Sequence, residues 1–180
     1  GATLFEASGD AFSTWTRDEG WNFGAGLLLN DGVEDDNVTY AIAPWEPGSR
    51  TDYAVEAEVQ FVAWGSTGSC GYYDHPFFGV FARGSDQGGY LGGVAVECDG
   101  SDVAPVVGVW PIVSSDSEQV RQERMGGGGV DIDNRWHTFR LEVEGNSLRF
   151  YIDGVQLVEV PDNRFLTGDT VGDFSSNAQV

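Results

Sequence analysis

Apolar and polar residues alternate along residues 52–63, so that every second side chain in this segment is apolar. Residues 135–145 and 147–154 repeat the alternation, and each has one apolar face. A period of two residues is typical of a strand with one buried face. Gly145-Asn146 joins the last two segments and is a residue pair typical of tight turns. We therefore predict three consecutive antiparallel strands, the third of which covers residues 155–160.

The remaining strand predictions come from apolar runs between turns that are rich in glycine, aspartate and serine. No segment shows a sustained helical period with capping residues. A run of four glycines at residues 126–129 predicts a mobile loop tip. Short strands with frequent turns predict an all-β fold, in which two antiparallel sheets pack face to face in one domain covering residues 1–180. The further strands are expected at residues 3–6, 26–30, 40–43, 77–83, 90–97 and 104–112.

The charge balance narrows the choice of partners. The 180 residues include 29 acidic and 9 basic ones, for a formal net charge of −20, and every basic residue is arginine. Nucleic acid and anionic membranes would be repelled, and no apolar stretch reaches the ~20 residues that span a membrane. The acidity indicates either a solvated surface or cation binding. The candidate calcium ligands crowd one loop and are Asp31, Glu34, Asp35 and Asp36.

The two cysteines, Cys70 and Cys98, each lie next to a predicted strand. We expect them to form a disulfide, because pairing of those strands would bring the two sulfur atoms together; two buried free thiols are the alternative. Neither cysteine has a partner at metal-ligand spacing. Asn37 begins an Asn-Val-Thr glycosylation sequon. Both features are typical of exported proteins, so we predict an extracellular or cell-surface location.

Several motifs resemble one known family. Trp136-His137 opens a predicted strand, Ile152-Asp153-Gly154 closes the following hairpin, and Phe78-Gly79-Val80 precedes Arg83 and Tyr90. Together with an opening strand and a tryptophan-containing loop, this pattern resembles the concanavalin A-like lectin and glucanase domains, which include laminin-G-like modules. The resemblance implies a two-sheet jelly roll in which one concave sheet face binds ligands.

The resemblance also implies a final strand that runs beside the first one and follows the segment ending at Val180. The sheet is expected to lack this strand within the present chain, which leaves unpaired backbone groups and an apolar groove. Two explanations stay open. The chain is a piece of a longer protein, or a neighbouring subunit supplies the strand by donor-strand complementation, which would give a homopolymer.

Two pairs of carboxylates alternate along predicted strands, with the spacing that glycoside hydrolases use to face a sugar. They are Glu56 with Glu58, and Glu142 with Glu144. The sequence around them lacks the context of such enzymes, and an amphipathic strand explains both pairs as its solvated face. We therefore predict that the protein is not an enzyme.

Candidate ligand contacts follow from the expected concave face. If the strand at residues 77–83 alternates strictly, Arg83 lies opposite the core residues Phe78 and Val80 and faces the ligand. Aromatic rings that can stack on sugars complete the set, although core packing is their alternative role: Tyr90, Trp64, Tyr73 and Trp110. We predict an extracellular, non-catalytic cell-surface module for adhesion or carbohydrate binding, whose partner is a glycan or other copies of itself. A filament subunit and a glycoside hydrolase of the same fold are the alternatives.

Overall fold

A computed structural model describes residues 3, 5–31, 39–64, 76–99, 102–115, 118–121, 123–176 and 178–180. In these ranges the chain forms one short 3-10 helix, Gly9–Thr14, and otherwise strands and loops. No helix in the described part of the chain is long and apolar enough to span a membrane. The strands are β1 (Thr16–Arg17), β2 (Trp21–Gly24), β3 (Leu27–Asn30), β4 (Thr39–Ile42), β5 (Tyr53–Gln60), β6 (Ala63–Trp64), β7 (Phe77–Ser85), β8 (Gly88–Asp99), β9 (Asp102–Ser115), β10 (Glu118–Arg121), β11 (Trp136–Glu144), β12 (Ser147–Ile152), β13 (Val155–Pro161), β14 (Thr170–Ser176) and β15 (Ala178–Gln179).

Two antiparallel sheets make up the sandwich. The larger sheet has seven strands in the order β1-β4-β14-β7-β8-β9-β10, and the smaller has four in the order β13-β12-β11-β5. Two short ribbons, β2 with β3 and β6 with β15, lie outside these sheets. The all-β, two-sheet prediction is confirmed.

The most regular sequence patterns are confirmed as strands in the smaller sheet. β11, β12 and β13 are consecutive and antiparallel, and the β11–β12 turn contains Gly145 in the left-handed region with a φ of 54°. The second turn holds Asp153 and Gly154, also at positive φ. Two positive φ values in succession fit the right-handed twist of a hairpin, which explains why Asp-Gly is favoured there.

The main core lies between the facing sides of the two sheets. Phe78, on the larger sheet, stacks on Phe139 of the smaller sheet with ring centroids 5.7 Å apart. Phe139 in turn meets Phe150 edge to face at 5.6 Å. Such ring pairs add specific geometry to the burial of apolar surface. The other fully buried members include Val80, Tyr90, Val94, Val109, Leu141, Val143 and Leu148.

The outer side of the larger sheet is also apolar. A second buried cluster lies there, and its largest members are Phe77, Phe81, Leu91, Trp110 and Phe174. Phe174 packs on Phe77 with ring centroids 5.0 Å apart. Because both sides of its central strands are buried, this sheet carries apolar runs along β7 and β8 instead of clean alternation.

Two local predictions are wrong. Residues 3, 5 and 6 are not in a strand, although residues 3–6 were expected to form one. The glycine run at residues 126–129 is packed against β9, because the Val107 amide donates a hydrogen bond of 2.8 Å to the Gly128 carbonyl. At Gly127, which has a φ of 77°, a side chain would collide with the Val107 carbonyl. The glycines therefore permit close backbone contact and do not form a free loop tip.

A bulge interrupts the pairing of β7 with β8 between Ala82 and Ser85. Arg83 lies in this bulge with a φ of 54°. A bulge adds one residue to a strand and reverses the side of the sheet on which the next side chains lie. Strict alternation from Phe78 to Arg83 therefore does not hold.

Candidate ligand-binding site

A pocket of about 250 Å³ opens on the outer side of the larger sheet, beside the β7–β8 turn. We call it the outer-face pocket. Side chains from four strands form its floor, namely Tyr40, Ile42, Phe81, Leu91 and Ile112. Its polar rim comes from Ser85, Asp86, Asp169 and Thr170. An apolar floor with a few polar groups at the edge is the usual composition of a small-molecule site.

Two aromatic rings shape the floor. Tyr40 on β4 and Phe81 on β7 meet edge to face with centroids 5.0 Å apart. Burial, with a smaller contribution from the Asp18 carboxylate, raises the pKa of the Tyr40 phenol, so the phenol stays neutral. Asp18 also accepts a hydrogen bond of 2.9 Å from the Tyr40 amide and holds this end of β4 in place.

Glycines in the β7–β8 turn let the backbone form the side of the pocket. Gly88 has a φ of 133°, and a side chain there would collide with the Ile112 carbonyl. A side chain at Gly84 would collide with Thr170. The Ser85 hydroxyl donates a hydrogen bond of 3.2 Å to the Gly88 carbonyl and closes the turn. The absence of side chains at both glycines leaves the pocket open.

The two carboxylates at the rim come from distant parts of the chain. Asp86 lies in the β7–β8 turn, and Asp169 precedes β14, where its amide donates a hydrogen bond of 2.9 Å to the Gly84 carbonyl. Both residues are exposed. Neither carboxylate has a hydrogen-bond or ion-pair partner in the described ranges. Their acceptor atoms are therefore available to a ligand that offers hydroxyl or amide donors.

Three of the five predicted ligand contacts are buried in the structure. Arg83 is 0% exposed, and its guanidinium donates to the carbonyls of Thr51 at 2.6 Å and Phe165 at 3.1 Å. Tyr90, also 0% exposed, faces the main core, where its hydroxyl donates to Asp162 at 2.6 Å. Trp110 lies on the outer side of the larger sheet but is only 2% exposed.

The other predicted site residues lie largely outside the part of the chain that the structure describes. This applies to Tyr73, Cys70, Asn37, Glu34, Asp35 and Asp36, and to the side chains of Trp64 and Cys98. Asp31 is described and exposed. Among the described residues, no three metal-ligating side chains come together. The disulfide, the glycosylation and the calcium site therefore stay predictions.

The paired carboxylates of β5 and β11 lie on the solvent side of the smaller sheet. Arg140 donates to Glu142 at 3.0 Å and to Glu56 at 3.1 Å. Arg149 pairs with Glu144 at 3.0 Å. For Glu142, burial alone would raise the pKa, but hydrogen bonds from Arg140, Tyr151 and Arg149 outweigh it and lower the pKa overall. A general acid needs the opposite shift, so ion pairing on a solvated strand face explains these residues.

Sequence reasoning missed the residues that form the outer-face pocket. Phe81 lies on the same side of the sheet as Phe77, which is the side that the sequence predicts to bind ligands. The alternation of residues along this strand could therefore have identified it. Asp86 lies in a turn of the type Gly-Ser-Asp-Gln-Gly, which marks a loop but no site. Asp169 is distant in sequence from the other rim residues, and only the pairing of β14 with β7 brings it there.

Comparisons with known proteins agree on the architecture. The carbohydrate-binding module CBM66 from Bacillus subtilis is 15% identical, with a TM-score of 0.62, over 92% of this chain and 89% of that one. The Emp47p carbohydrate recognition domain is 13% identical, with a TM-score of 0.52, over 96% of this chain and 85% of that one. A 1,3-alpha-1,4-beta-D-galactose-4-sulfate-3,6-anhydro-D-galactose 4 galactohydrolase is 16% identical, with a TM-score of 0.51, over 98% of this chain and 84% of that one. Neither a protein-family model nor a curated protein sequence matches the chain.

These similarities concern the fold. The chain has the concanavalin A-like jelly-roll fold, which the sequence resemblance predicted. The similar structures include both carbohydrate-binding modules and glycoside hydrolases, so the architecture is compatible with either activity.

Proposed function

We propose that this protein is an extracellular, non-catalytic module that binds a carbohydrate in the outer-face pocket. The observation that carries the proposal is the combination, in one pocket, of two aromatic rings and two carboxylates without protein partners. Tyr40 is partly exposed and is the ring available to the C–H face of a sugar, whereas Phe81 is only 5% exposed and supports Tyr40. The sugar hydroxyls donate to the carboxylates. A pocket of about 250 Å³ is below the ~300 Å³ at which drug-sized sites begin, so it suits one sugar residue.

Similar structures add support of a coarser kind, because two of them are described as carbohydrate-binding. The extracellular setting rests on the glycosylation sequon and on the expected disulfide. We consider the non-catalytic assignment the better one because neither rim carboxylate, Asp86 or Asp169, is shielded from water, whereas closed catalytic sites exclude it.

The test begins with a glycan array probed with the whole chain, followed by calorimetric titration of the best ligand. Asp86→Asn and Asp169→Asn should each weaken binding about tenfold, because each removes a charge-assisted hydrogen bond. Asp131→Asn is the matched control, since Asp131 is an exposed carboxylate that does not line the pocket. Its affinity should equal that of the wild type.

Three outcomes would contradict the proposal. One is the absence of any glycan ligand at millimolar concentration. Another is unchanged affinity in both rim variants. The third is release of new reducing ends from the bound glycan, which would contradict the non-catalytic assignment.

A further inference from the structure

The smaller sheet ends at β5 (Tyr53–Gln60). Within the described residues, β5 pairs with β11 on one side and no strand pairs with its other side. Its inward-facing residues Tyr53, Val55, Ala57 and Val59 are only half-buried, whereas Phe139 and Leu141 on β11 are fully buried. The sandwich is therefore open along this edge, and the backbone there can pair with another strand.

A groove of about 1460 Å³ runs along this edge. We call it the β5 groove. One wall is β5, the floor includes Val171 and Asp173 of β14, and the opposite wall is the segment containing Phe5 with the β2–β3 ribbon. At ~3.3 Å per residue, a ~4.8 Å strand spacing and a ~10 Å sheet separation, an eight-residue strand fills about 1,300 Å³. The groove, which also extends over the solvent face of the smaller sheet at Arg140 and Glu142, therefore has room for one added strand.

Exposed apolar side chains are concentrated around the β5 groove. Phe5 is 37% exposed, Leu27 38%, Leu29 42% and Val62 58%, and all four line it. Contiguous exposed apolar residues mark interaction surfaces in soluble proteins. A strand placed beside β5 would cover them with its inward-facing side chains.

The β5 groove also holds polar groups that lack partners. The indole N–H groups of Trp15 and Trp21 are buried without a hydrogen bond, and Trp21 as a whole is only 7% exposed. Both tryptophans line the groove. A buried donor without an acceptor costs stability, so a rearrangement of this wall on binding that gave either indole an acceptor would favour the bound state.

The charges along the β5 groove are unbalanced. Glu58 on β5 and Glu6 on the opposite wall have no hydrogen-bond or ion-pair partner in the described ranges. The two arginines that line the groove, Arg140 and Arg149, are already paired with glutamates. An occupant with lysine or arginine on its outward side would supply the missing positive charge.

The same charges argue against two copies pairing through their β5 edges. Glu56 and Glu58 project from the outer side of β5, and pairing of two β5 strands would place four carboxylates side by side. Like charges that face each other across strands are destabilising, and each chain carries a formal charge of −20.

We propose that the β5 groove binds an extended, positively charged peptide segment of a partner protein, which adds to β5 as a fifth strand. Backbone hydrogen bonds along the β5 edge supply affinity, and alternation supplies specificity. The inward side chains of the segment are apolar and fill the groove, and the outward ones are basic and pair with Glu58 and its neighbours.

The probe is an acetylated and amidated nine-residue peptide of alternating lysine and valine, added to the whole chain. We expect amide hydrogen exchange to slow at least tenfold at alternate residues of β5, with a shift of the Trp21 indole resonance. Two control peptides, glutamate with valine and lysine with serine, should give neither effect, because they lack the charge and the apolar side chains respectively.

Glu58→Lys tests the charge argument, since Glu58 is exposed and its replacement leaves the core intact. This variant should bind the lysine–valine peptide about three- to tenfold more weakly. Asp131→Lys makes the same charge change away from the groove and should change binding less than twofold.

Equal loss of peptide affinity in both variants would overturn the proposal, because it would show that binding depends only on the overall charge of the protein. Protection of β5 without peptide, together with a dimer in analytical ultracentrifugation, would assign the groove to a second copy. Protection of the same amides by an oligosaccharide would assign it to a glycan. Unchanged exchange along β5 at millimolar peptide would also refute it.

Discussion

Asp173 should make the protein less stable as the pH rises from about 4 to about 7. The residue lies on β14 across from Ala41 and Val80, so its side chain faces the interior of the sandwich at the floor of the β5 groove. Burial raises the pKa of this carboxyl from 3.8 to about 7. Between these values the folded chain keeps a proton that the unfolded chain has released, so the free energy of unfolding falls as the pH rises.

The size of the effect follows from the raised pKa. Each pH unit in this window lowers the free energy of unfolding by about 1.4 kcal/mol, and the whole window corresponds to about 4 kcal/mol. The residue is partly exposed at the edge of an open groove, and solvent screening reduces the figure. We expect a difference of about 2–4 kcal/mol between pH 4 and pH 8.

The assay compares urea unfolding of the wild type and Asp173→Asn at pH 4, 5, 6, 7 and 8. Asparagine is neutral at each pH, so the two curves should coincide near pH 4 and separate above it, with the variant more stable at pH 8. Other titrating groups cancel in the difference. Parallel curves, or a variant that is less stable at pH 8, would refute the reasoning about burial.

Two further predictions concern positions outside the β5 groove. Burial lowers the pKa of His137, but hydrogen bonds of 2.7 Å to Asp153 and 3.0 Å to Asp133 outweigh this and raise its pKa overall. His137→Gln should therefore lower the free energy of unfolding in urea by about 1 kcal/mol more at pH 5 than at pH 9. The reason is that the ion pairs of the protonated ring are lost as the pH rises through the raised pKa. Equal losses at both pH values would contradict this. Gly88→Ala should lower the free energy of unfolding by about 2–4 kcal/mol, because it forces alanine into positive φ against the Ile112 carbonyl. Gly128→Ala is its control in thermal melting, since nothing lies within 4 Å of the added methyl group, and similar melting temperatures for the two variants would refute the steric argument.

The smaller sheet could be predicted from the sequence because local signals agree there. β11, β12 and β13 have one buried and one solvated face, so their side chains alternate, and turn residues mark both connections. The β5 strand follows the same rule.

The larger sheet and its pocket could not be predicted to the same degree. Every residue of β7 from Phe77 to Gly84 is buried, so alternation does not distinguish the two faces. The bulge at Arg83 then changes the side of the sheet on which the following side chains lie, and no residue type in the sequence predicts this bulge. The rim of the outer-face pocket combines Asp86 with Asp169, which are brought together by strand pairing between distant segments.

The position of β14 has a consequence for the timing of folding. This strand lies between β4 and β7 in the middle of the larger sheet, and Thr39 donates a hydrogen bond to Ser175, 136 residues later in the chain. Contacts so distant in sequence form slowly, because a large loop must close before they contribute. During synthesis the edges of β4 and β7 stay unpaired until residues 170–176 have been made. The larger sheet can therefore close only after nearly all of the chain described here has emerged from the ribosome. The larger sheet thus remains without its central strand until residues 170–176 are available to pair with β4 and β7.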